Sequence, residues 1–247
     1  MGRRPAVLVI AGSDSSGGAG IVRDLRVLAD LEAHALCAIT AVTAQTHGEV
    51  VGIHHIPPDL VRAQILTALD TTSLGAIKIG MLGTAATVRA VADALPRNGS
   101  IPIVLDPVLL SSSGGVLLDE AGRAEMLARL APRAAVLTPN VPEAASLCGA
   151  SPAASPEALM AQARTLLSTG ARSVLLKGGH GAGPQAVDLL LASEGAPIWL
   201  SSPRMEGQCR GTGCALASAI AAGLAGGASV EAACRAAKQY VLSMLGA

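Results

Sequence analysis

A repeated alternation constrains this chain more than any other feature. Short β-branched and apolar runs are separated by longer amphipathic or Ala/Leu-rich stretches. The apolar runs cover residues 7–10, 38–42, 76–79, 103–105, 136–137 and 174–176 and read as buried strands. Between them, residues 21–31, 59–71, 84–95, 120–130 and 156–168 read as helices. This pattern predicts an α/β fold with a mostly parallel sheet and helices on both faces. Two stretches, 50–56 and 186–200, look extended with no helix inside them, and suit a small β lid or a sheet edge. Residues 150–156 form a Pro/Ala/Ser-rich loop, yet no composition shift marks a boundary, so a single domain over residues 1–247 is expected.

Composition narrows the function classes. Hydrophobic residues make up 51% of the chain and charged residues 15%, the balance of a compact globular protein and not of a disordered one. The net charge is zero and the only aromatic residues are Trp199 and Tyr240. A nucleic-acid partner is therefore not expected, since both a basic groove and stacking platforms are missing. The apolar stretch 215–230 is Ala-rich and broken by Ser and Gly, so it reads as a buried helix and not a membrane span. Arg3-Arg4 precedes an apolar run too short for a secretory signal, which leads to a cytoplasmic expectation. Five scattered cysteines with no C-x-x-C pair indicate neither a disulfide framework nor a zinc site. Only Lys78, Lys177 and Lys238 stand against fifteen arginines, so each retained lysine is a candidate point charge for phosphate.

In open α/β sheets ligands sit beyond the carboxyl ends of the strands, which directs the reading to the residues there. The first strand runs into Gly12-Ser13-Asp14-Ser15-Ser16-Gly17-Gly18-Ala19-Gly20, a turn that serves either as structure or as a ligand loop. Its spacing matches neither the dinucleotide fingerprint nor a P-loop. The second strand leads to Gln45, whose amide offers paired donor and acceptor groups to a heterocycle edge or simply faces solvent. Met81, after the third strand, suits the face of a flat ring. Asp106 ends the fourth as a metal or phosphate-network carboxylate or a loop cap. Asn140 and Glu143 follow the fifth, where Asn140 caps the next helix and Glu143 is placed to meet a metal-bound phosphate. Lys177 ends the sixth beside a glycine turn.

The segment Arg210-Gly211-Thr212-Gly213-Cys214 precedes a small apolar run that reads as a helix starting near Gly213. A helix start presents unpaired N–H groups and a positive dipole end, together an anion site. A thiol there is expected to have a depressed pKa and to act as base or nucleophile, unless Cys214 is only a small core residue.

These motifs, in this order, resemble the hydroxymethylpyrimidine/phosphomethylpyrimidine kinases of thiamine biosynthesis, within the ribokinase-like superfamily. The resemblance rests on the Gly12-Ser13-Asp14 turn, Thr43-Ala44-Gln45, Lys78-Ile79-Gly80-Met81-Leu82, Leu105-Asp106-Pro107-Val108, Thr138-Pro139-Asn140-Val141-Pro142-Glu143, Lys177-Gly178-Gly179-His180 and Gly211-Thr212-Gly213-Cys214. It implies a three-layer fold and ATP-dependent phosphorylation of a small pyrimidine alcohol or its monophosphate, with Mg2+ as cofactor and a homodimeric assembly. By the same resemblance Gly12, Asp24, Gln45 and Met81 line the pyrimidine pocket. Asp106, Asn140 and Glu143 organise the nucleotide and magnesium network, with Asp106 and Glu143 meeting the metal directly or through water. Lys177 contacts ATP phosphate, and Gly211, Thr212, Gly213 and Cys214 form the catalytic anion hole. Cys209-Arg210 departs from the Thr-His usual in the family, and the stretch 181–185 before Asp188 is also unusual. Arg210 is placed either to bind phosphate through its planar fork or to disturb the hole. Two other readings stand beside this one: a pyridoxal kinase-like activity, and a pyrimidine-binding protein that transfers no phosphate.

Overall fold

The computed structural model describes residues 4–46, 48–97, 99–111, 114–178, 183–205 and 210–246. Its strands are β1 (Ala6–Asp14), β2 (His34–Gln45), β3 (Val50–His55), β4 (Ala76–Ile79), β5 (Ile103–Leu105), β6 (Val136–Leu137), β7 (Ser173–Leu176), β8 (Gln185–Ala192) and β9 (Ile198–Pro203). Its helices are α1 (Gly20–Asp30), α2 (Pro58–Thr71), α3 (Ala85–Ala94), α4 (Glu120–Arg129), α5 (Val141–Cys148), α6 (Pro156–Leu167), α7 (Thr212–Ala225) and α8 (Val230–Leu245). One sheet has the order β3-β2-β1-β4-β5-β6-β7-β8-β9. The six strands from β2 to β7 in that order are parallel, and β3, β8 and β9 are antiparallel additions at the two edges.

The two-residue period of the strands divides the core. Along β1, Leu8 and Ile10 point into one apolar cluster while Val7, Val9 and Ala11 point into the other. The first cluster takes Val61 and Ile65 of α2, Val88 and Val91 of α3, Met126 of α4, Ala144 of α5 and Leu166 of α6. The second takes Ile21 and Leu28 of α1, the run Ala215–Ala222 of α7 and Ala233, Cys234 and Ala237 of α8. The result is a three-layer α/β sandwich. Helix α7 is buried on every side through this run, which is why its sequence shows no polar stripe.

The expected strands 76–79, 103–105 and 136–137 coincide with β4, β5 and β6. Two expectations change. The stretch 186–200 is a hairpin, β8 and β9, because Ser193–Pro197 turns the chain. The single helix expected over 215–230 ends at Ala225, and the Gly226-Gly227 turn starts a second helix, α8, capped by the Ser229 side chain. No helix among the described residues is long and apolar enough to cross a membrane.

From β1 the chain goes first to one side, to β2, and later to the other, to β4. The strand order thus reverses at β1, and beyond the carboxyl ends of the strands at such a reversal is where sheets of this kind bind ligands.

Candidate active site

Parallel register brings the strand ends level. Ile79 pairs with both Ile10 and Leu105, and Leu105 with Leu137, so Gly12, Gly80, Asp106 and Thr138 emerge along one rim. Asp106 lies 3% exposed at the centre of that rim. Its Oδ1 accepts from Thr138 Oγ1 at 3.0 Å and from Lys177 Nζ at 2.9 Å. Lys177 Nζ also lies 4.0 Å from Glu143 Oε2. Burial works to raise the Asp106 pKa, but the ammonium groups of Lys177 and Lys78 outweigh it and hold the carboxyl below the usual range. Burial likewise opposes the Lys177 charge, and Asp106 and Glu143 overcome it, so its pKa is raised. Glu143 goes the other way. Burial lifts it to about 7, with the Asp106 charge adding to the effect and Lys177 opposing it.

Local sequence explains how these groups are held. Asn140 and Glu143 form a capping box at the start of α5: Glu143 N–H donates to Asn140 Oδ1 and Asn140 N–H to Glu143 Oε2, both at 2.8 Å. The capping role expected of Asn140 is present, and it fixes Glu143 beside Lys177. Lys177 N–H donates to Pro139 O at 2.8 Å, tying β7 to this cap. The next residue is anchored from behind, where Gly178 N–H donates to Asp188 Oδ1 at 2.9 Å and Asp188 Oδ2 pairs with Lys238 Nζ at 2.6 Å.

Helix α7 aims its start at the same point. Its N-cap, Gly211, has φ +76°, and a Cβ there would fall 2.3 Å from Gly18 O, so both conformation and space require glycine. A Cβ on Gly213 would lie 3.2 Å from Lys177 Nζ and 4.0 Å from Asp106 Oδ2. The unpaired N–H groups of α7, the Lys177 ammonium and the Asp106 carboxylate therefore share one small volume.

Cys214, one residue on, departs from expectation. It is half-buried, and its pKa is pushed up to about 11, because burial outweighs the pull of Lys78. The depressed pKa expected of a helix-start thiol is not found. Near neutral pH Cys214 is a thiol, able to hold a proton but not to accept one.

Asp24 also sits differently from its expected place in the pocket. It has no exposed surface; its carboxylate pairs with Lys78 Nζ at 2.8 Å and accepts from Ser218 Oγ at 2.8 Å. Burial opposes the Lys78 charge, but Asp24, with Cys214 and Asp106 beyond, raises its pKa. Asp24 therefore stands behind the site, joining α1, β4 and α7. Of the three lysines expected to meet phosphate, Lys78 and Lys238 are spent in buried pairs and Lys177 alone reaches the rim.

On the opposite side of α7's start, Met81 lies over Gly12, where a Cβ would meet Met81 Sδ at 2.8 Å. Met81, Ala41 and Leu117 form a small apolar cluster of their own, with Ile53 and Val108 against it. Gln45 ends β2 nearby; its Oε1 lies 3.2 Å from Thr43 Oγ1 and its N–H donates to Ser15 Oγ at 2.8 Å. Sequence reasoning did not single out Thr138, Ser218 or the Lys238–Asp188 pair. The one available signal was a charged residue, Lys78, inside a four-residue strand buried at every position. Cys209 and residues 179–182, which carry part of two motifs, lie outside the described residues.

The phosphomethylpyrimidine kinase family matches residues 14–246. The chain belongs to that family. It is an ATP-dependent kinase with a ribokinase-like fold. It is 44% identical over 239 residues to the hydroxymethylpyrimidine/phosphomethylpyrimidine kinase of Streptomyces coelicolor, covering 96% of this chain and 87% of the relative. The Escherichia coli enzyme of the same description is 40% identical over 220 residues, 89% of this chain and 83% of the relative. Among solved structures, the Clostridium difficile phosphomethylpyrimidine kinase is 32% identical with a TM-score of 0.84, covering 98% of this kinase and 99% of that chain. The Staphylococcus aureus pyridoxal kinase in complex with pyridoxal is 30% identical with a TM-score of 0.90, covering 99% and 89%.

Proposed function

We propose that this kinase transfers the terminal phosphoryl group of ATP to the hydroxyl of 4-amino-5-hydroxymethyl-2-methylpyrimidine, and then to the monophosphate so formed, in thiamine biosynthesis. The observation that carries the reading is the meeting of Lys177, Asp106 and the start of α7 within a few ångströms along the carboxyl-end rim of the parallel strands. Phosphoryl transfer asks a protein for positioning and for charge stabilisation on the moving group. Lys177 and the N–H groups of Gly211 to Cys214 supply that positive charge. The bond from the substrate oxygen to phosphorus forms as the bond to the ADP oxygen breaks, and the hydroxyl proton leaves to a phosphate oxygen or to water. Since Cys214 is protonated, it is read as a proton-holding neighbour of the reacting oxygen, not as its base.

The pocket floor is assigned to Gly12 and Met81, with the Met81 thioether against the ring face. Gln45 is assigned to the aminopyrimidine edge; its side-chain NH2 has no protein partner among the described residues, which supports that role. Asp106 and Glu143 would hold Mg2+. The fit lies in their shared contact with Lys177, because a cation would offset the burial and the Asp106 charge that lift the Glu143 pKa to about 7. Two carboxylates with phosphate oxygens and water suit this ion, and no group of three or more metal ligands occurs among the described residues. When bound, the ion would supply positive charge that neutralises the phosphate oxygens. Exposed Val42 and Val51 on the β2–β3 edge support the homodimeric assembly.

Likeness to pyridoxal kinases favours a second activity, on a vitamin B6 alcohol. A purified-protein assay offering ATP with the pyrimidine alcohol, its monophosphate or pyridoxal separates these readings. ADP release dependent on both pyrimidines is expected. ATP consumption with pyridoxal alone would assign the chain to the second activity, and none with any acceptor would leave a binding protein.

A further inference from the structure

Arg210 stands immediately before Gly211, the N-cap of α7. Its guanidinium turns toward two other segments. Nη1 donates to the carbonyl of Thr46, in the turn between β2 and β3, and Nη2 lies 3.8 Å from Asp14 Oδ2. The side chain is only 13% exposed, and its Cβ lies 3.5 Å from the place a Gly18 Cβ would take. Asp14 is itself the organiser of the glycine turn after β1, where its two oxygens accept from Ser16 N–H at 2.8 Å and Ala19 N–H at 3.0 Å. Arg23 fastens the same place from α1, with Nε donating to Gly18 O at 3.3 Å and Nη2 to Arg210 O at 3.4 Å.

Among the described residues, the β2–β3 turn has few other ties. Ser15 Oγ meets the Gln45 backbone at its base. Beyond that point Thr46 N–H bonds to Glu49 O, and the Thr46 hydroxyl accepts from Gly48 and Glu49, all within the turn. Arg210 thus supplies a bond that joins this turn to the entry of α7. Gln45 and Thr46 are neighbours, so whatever fixes Thr46 also fixes the residue assigned to the pyrimidine edge.

We propose that Arg210 is a positioning residue for the acceptor substrate: it straps the β2–β3 turn to the start of α7 and so sets Gln45 over the pocket. The inference deepens the pyrimidine reading and rests on it only for the identity of the acceptor. A charge-assisted hydrogen bond from a half-buried guanidinium to the carbonyl of an exposed turn is the kind of contact whose loss loosens a local segment before the whole fold.

The test pairs hydrogen–deuterium exchange with steady-state kinetics on wild type, Arg210→Ala and Arg210→Lys. In Arg210→Ala, amides of residues 48–50 should exchange about tenfold faster, the loss of one such bond, while amides of β4 and β5 keep their protection. The acceptor KM should rise about tenfold while that of ATP moves less than about twofold. Arg210→Lys keeps a charge for Asp14 but not the two-pronged reach, and should fall between the two. Unchanged exchange in residues 48–50 would overturn the strap, whatever the acceptor proves to be. A rise in the KM of ATP equal to that of the acceptor would overturn it in favour of a phosphate contact. Faster exchange in a protein that phosphorylates no pyrimidine would retire the pyrimidine reading and leave the strap standing.

Discussion

The buried pair behind the site invites the most demanding test. Lys78 and Asp24 have no exposed surface, and Ser218 Oγ is the only other side-chain donor to the carboxylate among the described residues. Lys78→Met removes the cation and leaves Asp24 enclosed with one hydroxyl. Breaking one side of a buried pair costs about 3–5 kcal/mol. For a chain of this size that lowers the melting temperature by roughly 6–20 °C. Adding Asp24→Asn removes the stranded charge and should restore more than half of the loss. The pH dependence has a definite sign. Burial already holds the folded-state pKa of Asp24 above the ordinary carboxylate value, and losing the Lys78 ammonium in Lys78→Met raises it further, so the folded variant binds this proton at higher pH than wild type does. The variant should therefore regain stability relative to wild type as pH falls from about 8 to about 5. Urea unfolding at several pH values measures this directly. A single variant weakened by less than about 1 kcal/mol, or a double variant no better than the single, would refute the placement of a charged pair here.

Two further outcomes follow from the same geometry. With its pKa near 11, Cys214 should react with iodoacetamide more slowly than exposed Cys37 at pH 8, and its rate should climb about tenfold per pH unit toward 11; fast alkylation at pH 7 would restore the low-pKa thiol. Asp188→Asn weakens the charge-assisted anchor on Gly178 N–H and should raise the KM of ATP about tenfold or more while sparing that of the acceptor; a lowered melting temperature with both KM values unmoved would make the anchor purely structural.

The layers were legible because strands buried on both faces leave a dense apolar signature. Residues 76–79, 103–105 and 136–137 needed no tertiary information. The end of the chain was harder. Helix α7 lies between the sheet and α8, so it lacks the polar stripe that marks a helix edge, and its Ala-rich run blends into the glycines that end it. The extents of β1 and β2 were also underestimated. Both continue past their apolar runs, to Asp14 and Gln45, because parallel pairing Ser13 to Val42 and Asp14 to Thr43 carries polar residues into the sheet. Rim residues were readable from their place after each strand, but their electrostatics were not. A helix-start thiol is expected to be acidic from local sequence alone; the enclosure that reverses this comes from α1 and β4, far away in the chain.

The distribution of basic residues has a physical logic that only the folded chain reveals. All three lysines form ion pairs with aspartates that are at most 8% exposed: Lys78 with Asp24, Lys177 with Asp106 and Lys238 with Asp188. Most of the paired arginines among the described residues take outer positions, as in Arg89 with Glu125, Arg129 with Asp93 and Arg235 with Glu231, and Arg210 beside Asp14 is an exception. A compact ammonium satisfies one carboxylate inside a tight apolar wall, whereas a guanidinium needs a flat space and several acceptors. The three pairs also stand at different depths around one point. Lys78–Asp24 supports the start of α7 from behind, Lys238–Asp188 supports the backbone after Lys177, and Lys177–Asp106 is itself at the rim. Only in the last is the cation close to a group that an incoming phosphate would displace or share. Scarcity of lysine in the sequence thus marks sites of buried charge in general, and it is position at a strand's carboxyl end, opposite a helix start, that separates the one lysine fit for phosphate from the two that hold the framework around it.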